Sequence, residues 1–199
     1  MPHPLITLGV IAALVLGSAA ALDTVAARAA AQARNPLTGA RSPVRPAPPW
    51  ANTSWLNTDG EQPLTLANLR GRVILLNFWT FTCWNCTGAL PSLVQYDRLY
   101  RAQGLVIVGI HSPEFPPYGG EHDKANVRAA VRKHQIRYPV AQDNDHATWR
   151  LYDIQYWPSY VLIDRRGQIR WEGYGEFHVG DDSHREWDRR IRALLAEAG

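Results

Sequence analysis

Two apolar runs, Val73-Ile74-Leu75-Leu76 and Leu105-Val106-Ile107-Val108-Gly109-Ile110, organise the pattern of this chain. Runs this short, without polar alternation, predict strands buried on both faces. Between them a helix reaching about Tyr100 would turn Leu90, Leu93, Val94 and Leu99 inward, with Pro91 kinking it by removing one hydrogen bond. Gly104 closes that unit, and two buried strands joined by one helix are expected to run parallel with a right-handed crossover. Further on, Glu121 to Gln135 reads as a helix with Val127, Ala130 and Val131 on one face, followed by a short strand at Tyr138-Pro139-Val140-Ala141. Ala147 to Asp153 supplies a helical turn or two. Tyr160 to Ile163 and Gln168 to Trp171 flank Asp164-Arg165-Arg166-Gly167, a hairpin signature. A last helix from about Ser183, its expected N-cap, to Glu197 would bury Trp187, Ile191, Leu194 and Leu195. Ahead of the first buried strand, Trp50 and Trp55 open the domain, Pro63-Leu64-Thr65-Leu66 is an edge-strand candidate and Asn68 to Gly71 a turn. The fold class is α/β, a mixed sheet flanked by helices.

The N-terminus has a different texture. Leu5 to Leu22 is almost wholly apolar, long enough for a signal-peptide core and close to the length of a membrane span. Ala19-Ala20-Ala21 offers small residues for cleavage. Against orientation as a simple anchor, no Lys or Arg precedes the segment, and Arg28, Arg34, Arg41 and Arg45 follow it. A cleaved signal and an uncleaved anchor both stay open for residues 1–22. Residues 23–49 are rich in Ala, Pro and Arg and read as a disordered linker, leaving a domain over 50–199. Of 21 basic and 18 acidic residues, four arginines and one aspartate lie before Trp50, which leaves 17 of each in the domain. The basic excess therefore belongs to the linker, and a neutral domain excludes nucleic-acid binding by an electrostatic footprint. Lys124, Arg128 and Arg132, at helical spacing, read as a solvated face.

Candidate chemistry sits at the end of the first buried strand, in Asn77-Phe78-Trp79-Thr80-Phe81-Thr82-Cys83-Trp84-Asn85-Cys86. Both cysteines of the chain are here, two residues apart, where a strand hands over to a helix. Residues i and i+3 share one face of a first helical turn, close enough to close a disulfide. The first of them meets unpaired N–H groups and the positive end of the helix dipole, which favour its thiolate, the nucleophilic form. A structural zinc site needs four ligands, and no third cysteine exists. A disulfide closing so short a loop adds little stability through loop entropy. The pattern points to redox chemistry at Cys83 and Cys86, with no cofactor and no metal.

With Tyr156-Trp157-Pro158-Ser159-Tyr160-Val161-Leu162-Ile163-Asp164, with Gly109 to Phe115 and with Tyr138 to Ala141, this cysteine segment resembles thioredoxin-like thiol-disulfide oxidoreductases. Among them it is most similar to the DipZ-type C-terminal thioredoxin domain and the TlpA-like family. The resemblance covers residues 53–197 and implies a thioredoxin-like fold with a helix–strand insertion at about 112–141, after the second strand of the βαβ unit. It implies that Cys83 attacks, that Cys86 resolves, and that Pro158 is a cis-proline receiving substrate backbone. Two positions depart from the pattern: Asn77 stands where thioredoxins place a buried Asp, and Ala89 where some TlpA-like reductases have a Glu. His111 and Glu114, leaving the second buried strand, are then candidates for proton transfer. Trp84 and Trp157, beside Pro158, are candidates for a substrate platform, and Trp79 for packing beneath the site.

The implied function is an extracytoplasmic, membrane-tethered or secreted monomer that exchanges disulfides with partner proteins, in the reducing direction. The electron-conducting membrane domain of full DipZ proteins has no counterpart in this sequence, so the resemblance implies a separate membrane electron donor as a second partner. Two other functions fit parts of the sequence. Thr80-Phe81-Thr82-Cys83 contains the Thr-x-x-Cys of thiol peroxidases, although Leu76 stands where their motif has proline. Cys83, Cys86 and His111 could carry Cu(I) in a metallochaperone, since thiolates select that ion.

Overall fold

The computed structural model describes residues 40–50, 52–114 and 120–197. The apolar segment over 1–22 and linker residues 23–39 lie outside the described residues. Seven strands form one sheet: β1 Ala40–Pro46, β2 Trp55–Leu56, β3 Val73–Trp79, β4 Leu105–His111, β5 Val140–Gln142, β6 Ser159–Ile163 and β7 Gln168–Tyr174. Four helices are described: α1 Trp84–Tyr100, α2 Lys124–Lys133, α3 Ala147–Leu151 and α4 Asp182–Ala196. The spatial order is β1-β7-β6-β3-β4-β5-β2. β3 lies at the centre, parallel to β4 and antiparallel to β6, and β4 runs parallel to β5.

β3 is central because every one of its residues is buried, with no polar face to give to water. Its alternation divides the core. Val73, Leu75 and Trp79 pack with Leu90 and Leu93 of α1, Val127 and Val131 of α2, and Trp187, Ile191 and Leu194 of α4. Ile74, Leu76 and Phe78 face the other layer, with Trp50, Trp55, Tyr152 and Ile154. Period-two alternation thus buries the strand on both sides at once. The expected insertion is present as α2 and β5, placed between β4 and α3 in the chain.

Several expected details change. Residues 40–46, read as linker, add β1 to the edge of the sheet beside β7, and Arg45 pairs with Glu172 at 2.7 Å. An edge position accommodates Pro43 and Pro46, which could not donate within a central ladder. The ordered domain therefore begins before Trp50. The far edge strand is Trp55–Leu56, not 63–66; there the chain is irregular, and the Leu64 carbonyl accepts from the Trp50 indole at 2.7 Å. In α1, Tyr96 and Tyr100 take the inward positions, and Leu99 is exposed. The N-cap of α4 is Asp181, not Ser183; its carboxylate accepts from the N–H groups of His184 and His178, both at 2.7 Å. Lys124 and Arg128 both pair with Glu61, while Arg132 is exposed.

Candidate active site

The site lies where β3, β4 and β6 present neighbouring ends. β3 ends at Trp79, and the chain crosses Thr80, Phe81 and Thr82 to reach Cys83, the N-cap of α1. The Cys83 sulfur accepts from the Cys86 N–H at 3.2 Å, taking the place a Ser or Asp oxygen usually fills. Cys83 and Cys86 are joined as a disulfide, with Cα atoms 5.2 Å apart. Cys86 is buried against Trp79 and Leu90 in the core, whereas Cys83 is half-buried. This asymmetry gives an incoming sulfur access to Cys83 alone. Trp84 projects from the same turn with 84% of its surface exposed.

On the neighbouring strand, Trp157-Pro158 is a cis peptide and Pro158 directly precedes β6. The pairing of Phe78 with Ser159 places Pro158 beside the end of β3 from which the cysteine loop leaves. The Pro158 carbonyl accepts from Gly175 N–H at 2.9 Å. Trp157 is half-buried: its indole lies 4.1 Å from that of Trp149 and donates to the Ser112 carbonyl at 3.0 Å. An exposed aromatic pair stands nearby, Tyr156 and Tyr174, with ring centroids 4.7 Å apart. Sequence reasoning missed it, since only the Ser159–Tyr174 register brings the two together.

Asn77 is buried on the central strand, paired with Gly109 on one side and Tyr160 on the other. The Tyr138 hydroxyl is close to the Asn77 amide, and burial pushes the hydroxyls of Tyr138 and Tyr160 well above their ordinary value. Trp79 is fully buried beneath the site and packs close over Gly109, where a Cβ would stand only 3.0 Å from the indole nitrogen. Ala89 is also fully buried.

His111 closes β4 and is fully buried, edge-on to Trp79 and stacked on Phe81. Burial lowers its pKa to about 4, against the opposing pull of Glu121. Glu114, half-buried, donates its main-chain N–H to a Glu121 carboxylate oxygen at 2.9 Å. Glu121 was expected in the first turn of a helix. It instead precedes α2 and is fully buried, accepting the hydroxyls of both Thr80 and Thr82. No periodic signal announces such a residue; the paired threonines around Phe81 were the one trace of a polar partner. Asp143 is a second buried carboxylate that went unnoticed, accepting from Asn52, Ser112 and the N–H groups of Thr148 and Trp149. Among the described residues no group of His, Cys, Asp and Glu is arranged to hold a metal ion, and no helix is long and apolar enough to cross a membrane.

Comparison with known proteins places this geometry. A model of the AhpC/TSA family matches residues 44–172. Protein DipZ of Mycobacterium tuberculosis is 40% identical over 146 residues, 73% of this chain but 20% of DipZ. The chain thus spans about a fifth of that relative. Thiol-disulfide oxidoreductase YkuV of Bacillus subtilis is 29% identical over 145 residues, 72% of this chain and 89% of YkuV. Among solved structures, a putative thiol:disulfide interchange protein DsbE from Chlorobium tepidum superposes with a TM-score of 0.66 at 22% identity, over 79% of this chain and all of the other. That likeness is one of fold, and the fold is thioredoxin-like.

Proposed function

The chain belongs to the AhpC/TSA family, and from that membership and its helix-capping dithiol we propose that it is a protein-disulfide oxidoreductase that reduces partner disulfides outside the cytoplasm. The observation that carries the reading is the Cys83–Cys86 pair, one sulfur half-exposed at a helix N-terminus and the other buried behind it. In the reduced protein the Cys83 thiolate attacks one sulfur of the partner's disulfide. The partner's S–S bond breaks, its second sulfur leaves as a thiolate and takes a proton from water, and a mixed disulfide joins Cys83 to the partner. Cys86 then loses its proton and attacks the Cys83 sulfur. The partner departs with both thiols reduced, and Cys83–Cys86 carries the two-electron oxidation. A dithiol donor at the membrane reverses these steps to recharge the pair.

Partner main chain pairs at Pro158 in the manner of an added strand, which gives affinity with little sequence preference. Trp84, with the Tyr156–Tyr174 pair, offers exposed aromatic surface to a flexible peptide. Trp157 shapes that surface from its half-buried position. Glu114 and His111 serve proton transfer at Cys86. The location outside the cytoplasm and the tether or release rest on the apolar segment over residues 1–22, and the domain works as a monomer.

Mixing the reduced protein with a disulfide-linked peptide tests the reading: one peptide disulfide should be lost for each Cys83–Cys86 bond formed. Absence of exchange would reject it. The family match, together with Thr80-Phe81-Thr82-Cys83, also favours a thiol peroxidase as a second reading. In the structure the Thr80 hydroxyl donates to Glu121, so its proton is not directed at Cys83. Reaction with hydrogen peroxide should therefore be no faster than for a free thiol of equal pKa, and a rate orders of magnitude higher would establish the peroxidase instead.

A further inference from the structure

A cavity of about 720 Å³ opens between the C-terminal half of α1 and the end of α2, and its lining is basic. Arg98, Arg101, Arg132 and Arg137 line it, together with the buried Val131 and Ile136. Arg98 stands twelve residues along α1 from Cys86. At the helical rise per residue that is about 18 Å, so the cavity is separate from the dithiol. Asp97 is the one carboxylate lining it among the described residues, and both its oxygens accept from Arg101. The guanidinium groups of Arg98, Arg132 and Arg137 have no ion pair or hydrogen bond among the described residues.

Arginines near helix ends often serve the free carbonyls and the dipole there. Here other donors already do so. Gln135 turns left-handed (φ 54°), so its N–H meets the Arg132 carbonyl at 3.1 Å and the Ile136 N–H meets the Val131 carbonyl at 3.0 Å. The same turn leaves Ile136 buried and Arg137 exposed. Beyond α1, the Gln103 amide donates to the Leu99 carbonyl at 2.9 Å. Each helix end sets about half a negative charge against the three unpaired guanidinium groups, leaving an excess of about two positive charges.

We propose that this cavity binds a phosphate monoester whose organic part is apolar. A monoester carries close to two negative charges at pH 7 and three terminal oxygens, which matches the excess charge and the three guanidinium forks. The apolar part lies on Val131 and Ile136. A volume of about 720 Å³ is in the range of small-molecule sites and exceeds what a bare phosphate fills. A single carboxylate or a phosphodiester brings one charge, and each leaves part of the excess unmatched. Charge is balanced over the domain from Trp50 onward, so this is a local field rather than a general attraction for anions. The site goes beyond the disulfide exchange proposed above and uses neither cysteine.

Titrating the full chain with phenyl phosphate in a calorimeter tests the proposal. One molecule should bind per chain, with a dissociation constant of about 1 mM or tighter. Inorganic phosphate, which lacks the apolar contact, should bind about tenfold more weakly. Arg132→Gln and Arg137→Gln, both at exposed positions, should each weaken phenyl phosphate binding about five- to tenfold. Lys124→Gln removes the same charge from α2 outside the cavity and should leave the constant within about twofold. Absence of saturable binding by wild type, or an equal loss in Lys124→Gln and the arginine variants, overturns the proposal. Arginine-dependent attachment to phosphatidylglycerol vesicles without phenyl phosphate binding would overturn it in favour of a lipid surface. No disulfide is exchanged in this measurement, so its failure leaves the oxidoreductase reading standing.

Discussion

His111 gives the folded domain a built-in sensitivity to acid. Its ring is fully buried at the end of β4, and burial takes its pKa from the ordinary 6.5 to about 4, despite the opposing charge of Glu121. In the unfolded chain the ring takes up a proton near pH 6.5; in the fold it stays neutral until about pH 4. Between these values the unfolded state binds more protons, so stability falls as pH falls. The contribution is fully present above pH 6.5 and is lost progressively down to pH 4. Each pH unit across that window is worth about 1.4 kcal/mol, so the site accounts for a loss of about 3 kcal/mol, a large share of the roughly 5–15 kcal/mol that holds a typical domain folded. Urea unfolding of the oxidised protein at several pH values from 7.5 to 4 measures it, with His111→Gln as the comparison. Other groups titrate in both proteins, so the difference between the two curves is the readout. Wild type should lose about 3 kcal/mol more than the variant over this range. Parallel curves would refute the reasoning.

The two tryptophans of the site should part company. Trp84→Ala should leave the unfolding free energy within about 0.5 kcal/mol, because the ring is exposed, yet weaken reduction of peptide disulfides relative to small ones in a paired kinetic assay. Trp157→Ala, which loses the Trp149 stack and the bond to Ser112, should cost about 2–4 kcal/mol in urea unfolding. Asp143→Ala would strand two main-chain N–H groups, the Asn52 amide and the Ser112 hydroxyl. A loss of about 3–5 kcal/mol in the same assay is expected, since each buried orphan costs about 1–3 kcal/mol and some will reach water.

What could be read along the chain was whatever repeats or is bounded by punctuation. β3, α1 and β4 were legible from two apolar runs and the helix between them, the hairpin of β6 and β7 from Asp164 to Gly167, and the dithiol from a spacing of three residues. β1 was not, because its arginines and prolines are the residues an edge strand tolerates and also those a linker favours. β2 has two residues, too few for any period. Asp181 and Ser183 both look like caps; the carboxylate that binds two N–H groups prevails over the hydroxyl. Glu121 and Asp143 stayed hidden for a different reason. A buried carboxylate is made tolerable by donors distant in sequence, Thr80 and Thr82 about forty residues before Glu121 and Asn52 about ninety before Asp143. Only the fold brings those donors together.

The central claim is that the two sulfurs have different tasks, the half-exposed one attacking and the buried one resolving. Incubating each reduced single-cysteine variant with a disulfide-linked peptide, then weighing the protein intact by mass spectrometry, tests it directly. Cys86→Ser should accumulate peptide on Cys83 and stop there, with no turnover, while Cys83→Ser should carry almost none over the same interval. Equal loading of both variants, or continued turnover by Cys86→Ser, would contradict the account.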